Sequence, residues 1–257
     1  VALPKGMSLF NAMAIGTAGF TVALCVQRLE ENNQLPELGK FIITGASGGV
    51  GNFAIDIMSA LGYQVVAVTG KPDRHQSLID LGADHLLDRN TIDLKGASLE
   101  KGQWGGAIDN LGGEILSWLT KTVNVGGNIA SVGLAGGTEL NTTVMPFILR
   151  GVSILGINAP ACSMKLRTRL WERLVNDLAP KKIDMIVQIN SNMNVKNSGD
   201  HIEIPIDEFN YPKEFTEIVS GPSLLYFSTK IVKLLNILMN FFSEIKVGKK
   251  SILEFFK

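Results

Sequence analysis

The chain has 257 residues, enough for one large or two small domains with a substantial buried core. Its 24 basic and 24 acidic residues cancel, so bulk charge favours neither nucleic acid nor a membrane surface, and small molecules or further copies of the chain are the expected partners. Cys25 and Cys162 form no CxxC or Cys/His cluster, and His75, His85 and His201 are scattered, which argues against a disulfide framework and against a metal site.

Residues 8–31 set small and apolar side chains at helical spacing, Gly16-Thr17-Ala18-Gly19 among them, and predict one or two tightly packed helices. No basic leader with an apolar core opens the sequence, so a cytoplasmic protein without a secretory signal is expected. The apolar run Phe41-Ile42-Ile43-Thr44 then enters Gly45-Ala46-Ser47-Gly48-Gly49-Val50-Gly51, and Asn52 to Leu61 follows with Phe53, Ile57 and Leu61 on one helical face. Strand, glycine-rich turn and helix in that order are the layout of a dinucleotide-binding βαβ unit. Against the template G-x-G-x-x-G, Ala46 stands in the first place, Gly48 in the second and Gly51 in the third. Residues without a Cβ let such a turn approach a pyrophosphate, and the first N–H groups of the helix are unpaired donors at its positive end.

Candidate strands recur at Phe41 to Thr44, Gln64 to Val68, His85 to Leu87, Gly106 to Asp109, Gly127 to Val132 and Ser153 to Ile157, with helical segments between most of them. Alternation of this kind predicts an α/β fold, a Rossmann-type doubly wound parallel sheet. Leu78 to Leu81 followed by Gly82-Ala83-Asp84 reads as a helix that stops at a glycine. Asp109-Asn110-Leu111-Gly112-Gly113 and Gly133-Leu134-Ala135-Gly136-Gly137 each follow a strand. Ligands bind such sheets at the carboxyl ends of the strands, so both loops should face the same cleft as the turn at 46–51.

At the end of the second strand, an NAD-selective site usually carries an acid for the ribose hydroxyls. Thr69-Gly70-Lys71 stands here instead, Arg74 follows, and no carboxylate intervenes before Asp73. Lysine and arginine pair with a 2′-phosphate that an acid would repel, so the expected cofactor is NADP(H), with Lys71 in the main role.

Arg167 to Leu178 reads as an amphipathic helix with Leu170, Trp171, Leu174 and Leu178 on one side. Residues 1–182 are thus expected to form the NADP(H)-binding domain, and 183–257 an atypical, largely helical tail. Within the tail, a polar loop is expected over 188–212, carrying Asn190, Asn192, Asn194 and Asn197. An amphipathic helix is expected over 224–245, with Leu224, Phe227, Ile231, Leu234, Leu238, Phe241 and Ile245 three or four apart. Lys230 and Lys233 interrupt that helix, so a core or interface helix is expected rather than a transmembrane segment, with membrane-surface association as the alternative.

These pieces together resemble the medium-chain dehydrogenase/reductase superfamily, in its zinc-independent, quinone oxidoreductase-like branch that includes acrylyl-CoA reductases. The resemblance rests on Ala12 to Thr21, Thr44 to Gly51, Val68 to Lys71, Leu81 to Ala83, Ile108 to Gly113, and Pro146 to Val152 followed by Leu155-Gly156-Ile157. It covers about residues 1–180. It implies an NADPH-dependent reduction of an activated carbon–carbon double bond, as in acryloyl-CoA or another enoyl-CoA, or of a quinone. It further implies that Ser47, Gly48, Gly49 and Val50 contact the pyrophosphate, and that Thr69, Gly70, Lys71 and Arg74 contact the 2′-phosphate and adenosine. By the same resemblance Asn110, Gly133 and Leu134 line the cofactor, Phe147, Ile148 and Leu149 lie near the nicotinamide, Thr17 approaches it, and Arg89 is an adenine-side candidate. In relatives the strand after Arg150 pairs with its counterpart in a second subunit, which implies a homodimer.

Departures from the family pattern are expected to matter. Relatives carry a GroES-like substrate domain before this region, and Val1-Ala2-Leu3-Pro4 stands where that domain should be ending, so the sequence reads as a partial chain and no catalytic acid can be nominated. The family closes on Gly-Lys-x-x-Gly-Arg, which Val247 to Phe255 echoes without the Gly-Arg. Two other readings stay open. One is a non-catalytic NADP(H)-binding or oligomerisation module. The other is a short-chain dehydrogenase, suggested by Thr44 to Gly49 and by Tyr226-Phe227-Ser228-Thr229-Lys230, although the Tyr-x-x-x-Lys lies far beyond the glycine turn and lacks its serine partner.

Overall fold

Helices flank a six-stranded sheet on both faces in the computed structural model, which describes residues 3–189 and two short strands near the C-terminus. The strands are β1 (Phe41–Ile43), β2 (Val65–Thr69), β3 (His85–Asp88), β4 (Trp104–Asp109), β5 (Val123–Ser131) and β6 (Ser153–Gly156). Every neighbouring pair is parallel and the order is β3-β2-β1-β4-β5-β6. The chain starts at the centre, winds outward to β3, then crosses back to β4 and winds the other way. All six predicted strands are present, each within a few residues of its expected bounds.

The pleat explains why β1 is apolar throughout. Phe41 and Ile43 enter one core, with helices α1 (Leu9–Glu31), α2 (Gly49–Ala60), α3 (His75–Leu81) and α6 (Met164–Arg173), while Ile42 enters the other, with Trp118 and Leu119 of α4 (Gly113–Thr122). A strand buried on both faces has no polar side to show.

Ser8 caps α1 by accepting the N–H of Asn11 at 3.0 Å, and the helix is kinked at Gly16, so one helix in two pieces meets the expectation for 8–31. By length and apolarity α1 could cross a membrane, but Ile15, Phe20, Val22, Leu24, Val26 and Leu29 are spent in the core. α3 ends as expected, at a left-handed Gly82 (φ 120°, ψ 16°). α6 begins and ends earlier than expected, because Ser163 caps it by accepting the N–H of Leu166 and its last turn gives way to turns over 174–178. Leu170, Leu174 and Leu178 are nonetheless buried together.

The expected domain boundary at 182 falls inside the packed unit. Residues 183–189 are helical, Ile186 and Ile189 are buried in the same core as α2, and buried Asp56 of α2 accepts the N–H of Lys182 at 3.1 Å. The chain divides instead into Val1–Asn197 and Ser198–Lys257. Within the second unit β7 (Lys246–Val247) and β8 (Lys250–Ser251) pair antiparallel. Of the polar loop expected over 188–212, residues 188 and 189 are helical instead, continuing the turn that buries Ile186 and Ile189, while the rest of that loop and the helix expected over 224–245 lie outside the described residues.

Candidate functional site

The turn from β1 into α2 is set by Gly45, not by the Ala46 position of the sequence template. Gly45 has φ +59°, a left-handed conformation that a side chain strains, while Ala46 is fully buried and bonds its N–H to Val68. The Gly48 N–H closes the turn on the Gly45 carbonyl at 3.0 Å, and Gly48 caps a helix starting at Gly49, three residues before the expected start. A Cβ on Gly51 would lie 2.5 Å from the Gly45 oxygen and 2.6 Å from Ala46 Cα, so only glycine lets α2 come this close to the turn. The first N–H groups of α2 have no helical partners and no side-chain cap, and Gly48, Gly49 and Val50 at this end line the adjoining cleft.

Beside this turn, the end of β4 is tied to the end of β1. The Thr44 hydroxyl donates to Asp109 Oδ1 at 2.6 Å and accepts the N–H of Asn110 at 3.0 Å, and the Asn110 side-chain amide donates to the Thr44 carbonyl at 2.7 Å. Asp109 also accepts the N–H of Gly112 at 2.8 Å. Burial pushes the Asp109 carboxyl above its ordinary value, and the bonds from Thr44, Gly112 and Leu111 oppose that rise. The loop after β5 locks onto the loop after β4, with Gly136 donating to the Leu111 carbonyl at 2.6 Å and Gly112 bridging to Gly137. A Cβ on Gly112 would meet the Gly137 oxygen at 2.5 Å, so bare backbone holds the two loops together.

The two loops, the glycine turn and the end of β2 enclose a cleft of about 610 Å³. As expected, the loops after β4 and β5 share it with the turn. Of the residues nominated from sequence, Ser47, Gly48, Gly49, Val50, Thr69, Gly70, Lys71, Arg89, Asn110 and Gly133 line it. Six do not. Arg74 turns away, its Nε 3.6 Å from Asp73 and its side chain mostly buried. Leu134 projects outward between the lining residues Gly133 and Ala135. Ile148 and Leu149 lie exposed on α5 (Met145–Arg150), while Phe147 packs into the core with Ile42 and Trp118. Thr17 is exposed just past the α1 kink, next to Ala18, whose Cβ lies 3.5 Å from where a side chain on Gly49 would begin.

Gly51, Leu111 and Ala135 also line the cleft, in the turn and loops expected there though not nominated one by one, whereas sequence reasoning missed Gly45, Val68 and Val132. Val68 and Val132 stand at or just past strand ends, and that position alone was a signal for them. Among the described residues, no three His, Cys, Asp or Glu side chains gather in a way that could hold a metal. Cys25 is buried, with its thiol pushed up by desolvation, and Cys162 is half-buried.

A parallel sheet whose strand order reverses between β1 and β4, with a glycine turn and a cleft at that reversal, defines a dinucleotide-binding domain of the Rossmann type. Residues 49–176 match the zinc-binding dehydrogenase family. The chain belongs to the medium-chain dehydrogenase/reductase superfamily, of which it carries the nucleotide-binding part. The acrylyl-CoA reductase AcuI of Ruegeria pomeroyi is 42% identical over 189 residues, which are 73% of this chain and 57% of that protein. The crystal structure of Escherichia coli K-12 YhdH with bound NADPH is 45% identical, with a TM-score of 0.69 over 72% of this chain and 57% of that one. Bacillus subtilis YhfP, solved with NAD bound, is 41% identical, with a TM-score of 0.71 over 78% of this chain and 64% of that one. The chain therefore spans little more than half the length of the curated relatives it matches. Membership in this superfamily sets aside the short-chain reading, whose Tyr226 and Lys230 lie outside the described residues.

Proposed function

We propose that this chain is the NADP(H)-binding part of a reductase acting on an activated carbon–carbon double bond, that of acryloyl-CoA or a similar enoyl thioester, or on a quinone-like substrate. The observation that carries the reading is the cleft at the β1/β4 reversal, where backbone free of Cβ atoms lies beside an unpaired helix N-terminus. A dinucleotide fits these residues: Gly48 and Gly49 leave room at the turn, and Gly70 and Lys71 stand at the end of β2 with no carboxylate on that wall. Relatives hold NADPH in one structure and NAD in another, and it is Lys71 that favours NADP(H) here.

When bound, the cofactor supplies a hydride for the substrate. On this reading the N–H groups at the start of α2 hold its pyrophosphate, and Ser47 and Val50 flank it. Thr69 bonds the N–H of Lys71 at 3.1 Å and so fixes the strand end that carries the lysine toward a 2′-phosphate. Asn110 and Gly133 form the wall beneath the dinucleotide, on a base made rigid by Thr44 and Asp109. These groups bind and orient the cofactor, and none of them is assigned a proton transfer to substrate.

A homodimer goes with this reading. β6 is an edge strand, and α5 beside it exposes Met145, Ile148 and Leu149, with Val144 at its N-cap. A reducing, cytoplasmic setting suits the two free cysteines. The second reading, a module that binds NADP(H) without catalysis, is favoured by the cleft lining, which holds no Asp, Glu, His, Cys or Tyr side chain that could serve as a catalytic acid.

Titration of the chain with NADPH and with NADH, followed by an acryloyl-CoA assay on the same sample, tests both readings. NADPH is expected to bind at least tenfold more tightly. Turnover supports the reductase, binding without turnover supports the module, and no binding of either nucleotide overturns both.

A further inference from the structure

Resting on the cofactor reading above, the choice between NADPH and NADH can be assigned to particular side chains. Thr69 and Asp88 are opposite each other in the β2–β3 register, and both strands end there in a turn built the same way. The Thr69 hydroxyl accepts the N–H of Lys71 at 3.1 Å, and Asp88 Oδ1 accepts the N–H of Asn90 at 2.9 Å. The first turn presents Lys71 and the second presents Arg89, and both cations line the cleft.

Gly70 lies between them. A Cβ on Gly70 would begin 3.6 Å from Arg89 Nε and 3.7 Å from its Nη2, so the guanidinium lies along this bare stretch of backbone. Neither cation is in an ion pair with a described residue, whereas Arg74 is engaged with Asp73 and stands outside the cleft. Two unneutralised cations facing one space favour a dianion between them, and a guanidinium grips phosphate oxygens two at a time.

We propose that Lys71 and Arg89 form a two-cation clamp for the 2′-phosphate, with Arg89 the specificity-determining partner from the neighbouring strand, and that Arg74 has no part in cofactor choice. The clamp predicts that cofactor preference is carried in part by a residue just past the end of β3, beside the β2 end where it is ordinarily sought.

The test compares dissociation constants for NADPH and NADH, read from nicotinamide fluorescence on the full chain, for wild type, Arg89→Ala, Arg89→Lys and Arg74→Ala. Arg89→Ala should weaken NADPH by roughly 10- to 100-fold, the loss of charge-assisted bonds to phosphate, and leave NADH within about twofold. Arg89→Lys should recover only part of the loss, since lysine offers no fork. Arg74→Ala should keep the wild-type NADPH-to-NADH ratio. Thermal melting of each variant separates lost folding from lost contact, and Arg89 is exposed, so its variants should melt with wild type. If wild type binds neither nucleotide, the cofactor reading falls and the clamp with it. If NADPH binds but Arg89→Ala leaves its preference unchanged, or Arg74→Ala lowers it as much, the clamp alone is overturned.

Discussion

Thr44 and Asp109 join the tips of β1 and β4 through a 2.6 Å hydrogen bond with both residues wholly buried. The bond sits where the strand order reverses, and it links the strand that feeds the glycine turn to the strand that feeds the Asn110 loop. Two walls of the cleft therefore share one polar node.

Replacing Thr44 with valine keeps the shape of the side chain but removes the donor to Asp109 and the acceptor for the Asn110 N–H. A buried carboxylate and a backbone N–H each lose a partner, and the expected cost is about 2–4 kcal/mol. Urea unfolding of Thr44→Val against Thr44→Ser measures it, because serine retains the hydroxyl. A valine variant as stable as the serine variant would show that the node does not hold the strands.

Gly51 faces backbone, so its replacement has no flexible neighbour to push aside. In Gly51→Ala the new methyl group would meet the Gly45 carbonyl oxygen and Ala46 at 2.5–2.6 Å, and α2 must move away from the turn. About 2–3 kcal/mol of stability should be lost, and NADPH affinity should fall with it as the helix N-terminus retreats. Denaturant midpoints and a fluorescence titration on one preparation check both. Full affinity in the alanine variant would refute the close approach as the reason for glycine.

The buried Asp56 carboxyl makes stability depend on pH. Burial raises it above its ordinary value of 3.8, and the amide bonds and charges of Lys181 and Lys182 only partly offset the rise. The folded chain therefore holds this proton to higher pH than the unfolded chain, so stability is fully present below about pH 3.8 and declines as pH rises through the raised folded value. Asp56→Asn keeps an acceptor for the Lys182 N–H and removes the titration. The unfolding free energy of wild type should fall relative to Asp56→Asn as pH climbs from about 4. Midpoints measured in parallel between pH 4 and 7 would expose a constant gap, which this account does not allow.

Local chemistry made much of this legible. The run at 41–43, the glycines that follow and the stop at Gly82 are dictated by residues adjacent in sequence, and the structure has them where expected. Arg74 and Arg89 show the limit. Arg74 is three residues from Lys71 and was the natural second cation, but its neighbour Asp73 engages it. Arg89 reaches the same wall only because β3 lies beside β2, a pairing that sequence distance hides. The template also misled at the turn, since its first glycine was sought at 46 when Gly45 carries the positive φ. Ile186 and Ile189 had readable helical spacing, yet without a family pattern around them their place against α2 was not visible.

The exposed apolar face near β6 yields a prediction about assembly. Val144, Met145, Ile148 and Leu149 are four large side chains, each at least 38% exposed, next to β6, which among the described residues is the edge strand of the sheet. Apolar groups clustered at an unpaired edge mark an association surface, and a second copy placing β6 against β6 would satisfy both the edge and the patch. Ile148→Glu puts a charge at the centre of that patch, and Ile148 is 73% exposed, so folding of the single chain should be unaffected. Desolvating that carboxylate between two subunits should weaken association at least 100-fold. Sedimentation velocity should find wild type as a dimer and Ile148→Glu as a monomer that still binds NADPH. A wild-type monomer, or a variant dimer of unchanged affinity, would show that this face serves another purpose.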